Sequence, residues 1–242
     1  ISEDGLEYTF KLRQGVKFHS NANFTPTRDF NADDVIFSFD AFKANSPMYN
    51  AYYRHIVKCE KIGERDLKFV FDAPGNRELP SIAGEVPVLA KHWWEGKDAQ
   101  GNKRDVTATT LEIPLGSGPY RIKEFVAGRS VVLERVADYW GKDIPVNVGQ
   151  NNFDQVRSEF FRDDTVGREA FKADQLDWFN ERSGKQWSTA YDFPAVAEKR
   201  VLKEKFTNSS SGRMQGYAFN LRRPLFTDIR VRRAFNLAYD WE

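Results

Sequence analysis

What this chain has little of narrows the field first. Its 242 residues include a single cysteine, Cys59, so neither an internal disulfide nor a cysteine-rich metal site can form. The three histidines, His19, His55 and His92, lie far apart in sequence. No His-x-x-x-His pair or Cys/His cluster offers a local metal site, and only one gathered from distant residues stays open. No cofactor motif stands out, and none is expected. Gly116-Ser117-Gly118 lacks the Gly-x-Ser-x-Gly spacing of a nucleophile elbow, and no Lys-Ser/Thr follows it in the frame of a phosphate loop. Neither charge sign dominates: 36 basic residues face 35 acidic ones, for a net of +1. So even a balance argues against a nucleic-acid binder driven by backbone electrostatics. No apolar run approaches the roughly 18 residues needed to span a bilayer. The chain opens Ile1-Ser2-Glu3-Asp4-Gly5 with no methionine and no secretory leader, and it stops at Trp241-Glu242, straight after the amphipathic run Ile229 to Tyr239. Those ends predict a fragment of a longer protein.

Aromatics are plentiful: 20 Phe, nine Tyr and six Trp. They supply enough large apolar surface for a core, and most are expected there, with a minority left to line a site. Their placement is clearest between Tyr8 and Phe39. Tyr8, Phe10 and Leu12 alternate with polar neighbours, the period of a half-buried strand. The polar run Ser20 to Asn23 and Pro26 break that pattern. Asn31 then stands where a helix cap belongs, with Asp34 three residues on, a weaker relative of the capping box. Val35, Ile36, Phe39 and Phe42 follow at helical spacing, which predicts a helix from about Ala32 packed on the first strand.

Further along, Lys68 to Phe71 alternates as a short strand, and Asp72 to Asn76 marks a turn. Val88 to Trp94 is a short apolar run, and Lys97 to Asp105 is polar and reads as an exposed loop or boundary. Tyr120 to Val126 and Ser130 to Val136 read as strands of a hairpin through Ala127-Gly128-Arg129. Val156 to Phe161 alternates again. Asp164 to Ala173 reads as a helix capped by Asp163 or Asp164, with Val166, Ala170 and Phe171 inward. Val201 to Phe206 and Gly216 to Leu221 are expected to be strands, separated by the short flexible loop Asn208 to Gly212. Strands mixed with helices and no strict βαβ repeat predict a mixed-sheet α/β fold. The composition divides it at residue 108, into 1–108 and 109–242.

Candidate chemistry is thin. Asp33-Asp34 and Asp163-Asp164 are paired carboxylates, which a carbohydrate-active enzyme could use if they were held across a glycosidic bond. At helix starts, capping and the helix dipole explain them more simply. Six arginines lie between Arg213 and Arg233, and those at 230, 232 and 233 fit the solvated face of an amphipathic helix. The segment Arg213 to Asn220 is the preferred ligand wall. Met214, Gln215, Tyr217, Phe219 and Asn220 combine a flexible thioether, two amides and two aromatics around Gly216, a mix suited to peptide backbone and varied side chains. The competing reading is a buried strand with Phe219 in a core, and alternation alone does not decide between them.

The order of motifs along nearly the whole chain resembles the family-5 extracellular solute-binding proteins, the receptors of oligopeptide and dipeptide ABC importers. The resemblance rests on Leu12-Arg13, Gly15-Val16-Lys17-Phe18 and Ala32-Asp33-Asp34-Val35, then on Gly116-Ser117-Gly118-Pro119-Tyr120 with Glu134-Arg135 and Asp138-Tyr139-Trp140. It continues through Phe219-Asn220, Pro224-Leu225-Phe226 and Ile229 to Ala234. Glu78-Leu79-Pro80, Lys91-His92-Trp93-Trp94 and Tyr191-Asp192-Phe193-Pro194 are similar to the YejA-type branch. His19-Ser20-Asn21 departs from the family's usual His-Asp-Gly.

The resemblance implies a bilobal α/β receptor of the class II periplasmic-binding type, which performs no chemistry. It implies a periplasmic or membrane-tethered extracellular location, a peptide-like solute and an ABC permease as partners, and closure of two lobes about a hinge. Residues 1–108 would be the small accessory domain and 109–242 part of the first ligand lobe, cut before the second. The position of Asn220 would lie near the ligand. The competing classes are the carbohydrate-active enzyme and a partner-binding structural module.

Overall fold

The computed structural model describes residues 1–20, 28–74, 79–207 and 216–239. They fall into two compact units, Ile1–Asp177 and Trp178–Glu242. The expectations placed on Asn21 to Thr27, Gly75 to Glu78, Asn208 to Gln215 and Asp240 to Glu242 lie outside the described residues.

In the first unit, strand β1 (Glu7–Lys11) leads through a loop to helix α1 (Ala32–Asn45). Asn31 is extended, its side chain accepts from the Asp34 amide, and the Asp34 carboxylate accepts from the Asn31 amide at 3.1 Å. Both halves of a capping box are therefore made, although Asp stands where Glu or Gln is usual. Ser46 ends α1 and caps α2 (Pro47–Tyr52), whose first residue is proline, the position where a missing N–H costs nothing. Strands β2 (Ile56–Lys61) and β3 (Asp66–Phe71) complete an antiparallel sheet in the order β1-β3-β2. β3 alternates strictly, with Leu67, Phe69 and Phe71 buried. These three meet Val35 and Phe39 of α1 in one core, and Tyr8, Phe10 and Leu12 pack at its edge as expected. Phe69 is the centre, edge-on to Phe10 at 5.6 Å and to Phe39 at 5.5 Å. Full burial of a side chain such as Phe39 contributes about 1.5–3 kcal/mol. β2 gave no alternating signal because a register shift falls between Ile56 and Lys58, which leaves Val57 exposed.

Short helices α3 (Leu79–Gly84) and α4 (Lys91–Trp94) follow. Trp93 is buried with Phe18, Ala90 and Leu115 in a second, smaller cluster. Arg104 lies 4.1 Å over the Trp93 ring and pairs with Glu112 at 2.7 Å, which anchors the polar stretch after α4.

Strands β4 (Tyr120–Val126), β5 (Ser130–Arg135) and β6 (Gln155–Glu159) form a second antiparallel sheet in that order. The β4–β5 turn is the expected one, with Gly128 at φ +68°, where a side chain would be strained. Helix α5 (Asp164–Lys172) is capped by Asp163, which accepts from the amides of Thr165 and Val166, both at 3.0 Å. Val166 is not inward: it is 41% exposed, while Gly167, Arg168 and Ala170 are buried. The packed stripe starts one residue later than expected and runs through 167, 170 and 171, the i, i+3, i+4 pattern. Strands and helices are both present, as an α/β fold requires, and each strand pairing among the described residues is antiparallel.

The second unit carries helices α6 (Gly184–Thr189), α7 (Pro194–Ala197), α8 (Pro224–Thr227) and α9 (Ile229–Ala238). Val201 to Phe206 and Gly216 to Leu221, expected as strands, form no ladder among the described residues. A strand is defined by its neighbour's hydrogen bonds, and the apolar pattern of these segments supplies no such partner by itself.

Candidate functional site

Of the expected ligand wall, Met214 and Gln215 lie outside the described residues. Tyr217 stands 82% exposed. Phe219 is half-buried in an aromatic trio, 5.1 Å from Phe226 of α8 and 5.3 Å from Phe235 of α9. It thus ties the segment to the two helices that follow. Asn220 begins the turn into α8. Its side-chain oxygen accepts from the Arg222 amide at 3.1 Å, and its carbonyl accepts from the Arg223 amide at 3.0 Å. This is an Asx-type turn. The amide nitrogen of Asn220 makes no hydrogen bond to another described residue, and the residue is exposed. The structure therefore brings Phe219 and Asn220 onto a defined turn and places Tyr217 in solvent just before it.

The carboxylates are held in structural contacts. Asp34 is fully buried and accepts from both terminal nitrogens of Arg28 at 2.8 Å and from the Lys91 amide at 2.9 Å, besides its capping bond. Asp33 lies on the surface with Lys61 at 2.6 Å, and that bond lowers its pKa. Asp163 caps α5, and those N–H bonds lower its pKa. A glycosidase acid instead needs a raised pKa across a bond from its partner. The arginines of the second unit also make local contacts: Arg230 pairs with Asp228 at 2.6 Å, and Arg232 donates to the Phe226 carbonyl at 2.6 Å. Among the described residues no group of three or more His, Cys, Asp or Glu side chains is gathered as metal ligands. Burial pushes the Cys59 thiol up to about 12, which keeps it protonated.

One convergence was not visible in the sequence. Three separated motifs meet on the strand-like loop before β4. The His19 amide donates to the Gly116 carbonyl at 2.7 Å. His19 Nε2 lies 2.8 Å from the Gly118 carbonyl, which can only accept, so Nε2 carries the proton. Trp140 Nε1 donates to the Ser117 carbonyl at 2.8 Å, and the Val136 amide donates to that of Pro119 at 2.8 Å. The Arg13 guanidinium sits 5.7 Å over the Trp140 ring. Burial lowers the His19 pKa and outweighs its bond to Gly118, with Arg121 adding to the fall and Asp138 opposing it. A cleft of about 170 Å³ opens beside the loop, lined in part by His19, Leu115, Gly116 and Arg121. Sequence spacing could not reveal this, since His19 and Gly118 stand 99 residues apart.

Comparison with known proteins defines the class. A family model described as bacterial extracellular solute-binding proteins, family 5, middle region, matches residues 1–242. The chain belongs to that family. It is 46% identical over 242 residues to the probable peptide-binding protein YejA of Agrobacterium fabrum, with 99% of this chain and 38% of the relative covered. To the peptidoglycan-binding protein YepA of the same organism it is 35% identical over 241 residues, covering 95% and 38%. Among solved structures it is similar to the dipeptide-binding protein of Pseudoalteromonas sp. SM9913 in complex with Met-Leu, at 28% identity and a TM-score of 0.59, covering 80% of this chain and 39% of that one. The chain thus spans well under half the length of these relatives, and its fold is that of class II periplasmic binding proteins.

Proposed function

We propose that the protein carrying this chain is the substrate-binding component of an ABC importer, which captures a peptide-like solute between two lobes and delivers it to a membrane permease. The observation that carries the reading is the family match over residues 1–242, joined to relatives whose names record peptide and peptidoglycan binding. Peptidoglycan contains peptide stems, so one chemistry covers both names. The mechanism is hinge closure, in which contacts to the solute favour the closed state. It needs no bond-breaking group, and the contacts of Asp33, Asp34 and Asp163 to Lys61, Arg28 and backbone amides accord with that.

In this reading residues 1–108 form the accessory domain, and 109–242 belong to the first ligand lobe. The protein works in the periplasm or tethered outside the membrane. Asn220, Phe219, Tyr217, Gln215 and Met214 form one wall of the site, where Tyr217 and Asn220, both exposed, meet the solute. The test is calorimetry of the full-length protein with Met-Leu and with peptidoglycan stem peptides, followed by mass spectrometry of the mixture. Saturable binding with unchanged peptide is expected. Steady product formation, abolished by Asp33→Asn, would favour the enzyme instead.

A further inference from the structure

We infer that one face of helix α9, carrying Ile229, Arg233 and Leu237, is an internal interface of a longer protein. Polypeptide of the same molecule outside residues 1–242 covers it, with an apolar surface that carries a carboxylate. The inference rests on packing in the second unit and on the lengths of the relatives, not on the transport reading, and either can fail without the other.

The second unit lacks a core of its own. Among its described residues only Tyr191 is buried, and none of α6, α7, α8 or α9 contains a buried residue. A domain of about 60 residues that folds alone buries roughly 60% of the surface its unfolded chain exposes. Here large apolar side chains stand out instead: Leu202 is 70% exposed, Phe206 69% and Leu237 85%. The aromatic trio of Phe219, Phe226 and Phe235 is itself open, since Phe235 is more than half exposed. Single apolar residues on a surface need no explanation, but a unit with this many and no core does.

Helix α9 shows which surface lacks its cover. At about 100° per residue, Leu237 lies roughly 200° round the helix from Phe235. Ile229, Arg233 and Leu237 form one stripe, each four residues from the next. The Phe235 side packs on the trio, while the stripe exposes both Ile229 and Leu237. A helix apolar on two sides belongs between two packed layers.

Charge sets the chemistry of the missing layer. Arg230 pairs with Asp228, and Arg232 donates to the Phe226 carbonyl. Arg233, between Ile229 and Leu237, has no carboxylate partner among the described residues. A guanidinium enclosed with apolar side chains requires an acceptor, and a carboxylate matches it best.

Length identifies the occupant. The family model that matches residues 1–242 describes a middle region, and the Agrobacterium fabrum YejA relative is matched over 38% of its length. Most of such a protein lies outside these residues. A neighbour in the same molecule also has an effective concentration that a second copy does not reach.

The test uses the full-length protein with p-benzoylphenylalanine incorporated at position 237. After irradiation of a mixture of isotope-labelled and unlabelled protein, mass spectrometry identifies the cross-linked peptide. It is expected to come from outside residues 1–242, within the same copy, and to carry Asp or Glu near the point of attachment. As a smaller change, Leu237→Cys should react with iodoacetamide about a hundredfold more slowly in the native full-length protein than in urea. Adding Arg233→Glu, which sets a like charge against the carboxylate, should raise that native rate about tenfold. A cross-link confined to residues 1–242, a cross-link between two copies, or labelling of Leu237→Cys at the unfolded rate would each overturn the inference. An unchanged rate on adding Arg233→Glu would overturn the carboxylate.

Discussion

Removing the carboxylate of Asp34 should destabilise the first unit more than any other single change to a charged residue in it. Asp34 is fully buried and gathers four hydrogen bonds from three places. Two come from Arg28, one from the Asn31 amide at the start of α1 and one from the Lys91 amide at the start of α4. Its backbone carbonyl also accepts from Ser38, whose hydroxyl in turn accepts from the Leu89 amide at 2.8 Å. In Asp34→Ala the backbone links remain, while two amides and a guanidinium lose their acceptor. Breaking a buried ion pair from one side costs about 3–5 kcal/mol. The Arg28 side chain is 35% exposed, so water recovers part of its loss and the lower end applies. Each stranded amide adds about 1 kcal/mol or more where water cannot reach it. The sum is about 5 kcal/mol, or roughly 10–20 °C in Tm for a unit of this size. Asp34→Asn keeps the shape and one acceptor oxygen and should cost about half as much. Asp33→Ala, on the surface beside it, should change Tm little. Thermal unfolding followed by tryptophan fluorescence reports on this unit through Trp93 and Trp94. A shift of less than about 2 °C for Asp34→Ala, or an equal shift for Asp33→Ala, would refute the claim that one buried carboxylate joins the loop and two helices.

Other outcomes follow from the same contacts. Asn220→Ala in the full-length protein should weaken solute binding about three- to tenfold, the worth of one neutral hydrogen bond, with little change in Tm; unchanged calorimetric affinity removes Asn220 from the site. Burial lowers the pKa of both His19 and His92 below the usual histidine value. The unfolded chain therefore binds more protons, and stability present above about pH 6.5 should fall as pH drops below it. His19→Gln should flatten that fall in denaturant melts between pH 7 and 5, and an unchanged slope would show that His19 does not contribute. Cys59, its thiol pushed up to about 12 by burial, should react with a thiol reagent at pH 7 only on unfolding; stoichiometric labelling of the native protein within minutes would contradict that environment.

The sequence by itself determined the local elements and the class. Alternation located β1 and β3, the short glycine-bearing loop between two apolar runs located the β4–β5 hairpin, and the caps at Asn31 and at Asp163 or Asp164 located α1 and α5, because those signals depend on neighbours a few residues away. The order of motifs carried the family. The tertiary structure decided what distance along the chain conceals. Val57 is exposed because a register shift turns it outward, and Val166 because the packed stripe of α5 begins at Gly167. Met214 and Gln215 lie outside the described residues, while Phe219 proved half a packing residue and Asn220 the first residue of a turn. The apolar rhythm of Val201 to Phe206 and Gly216 to Leu221 marked segments fit for a sheet, yet a ladder needs a second chain segment at hydrogen-bond distance, which no local pattern encodes. His19, Ser117 and Trp140 were each visible as parts of motifs. Their meeting on one loop was not, because a hydrogen bond between residues 99 apart is a property of the folded chain and leaves no trace in the spacing.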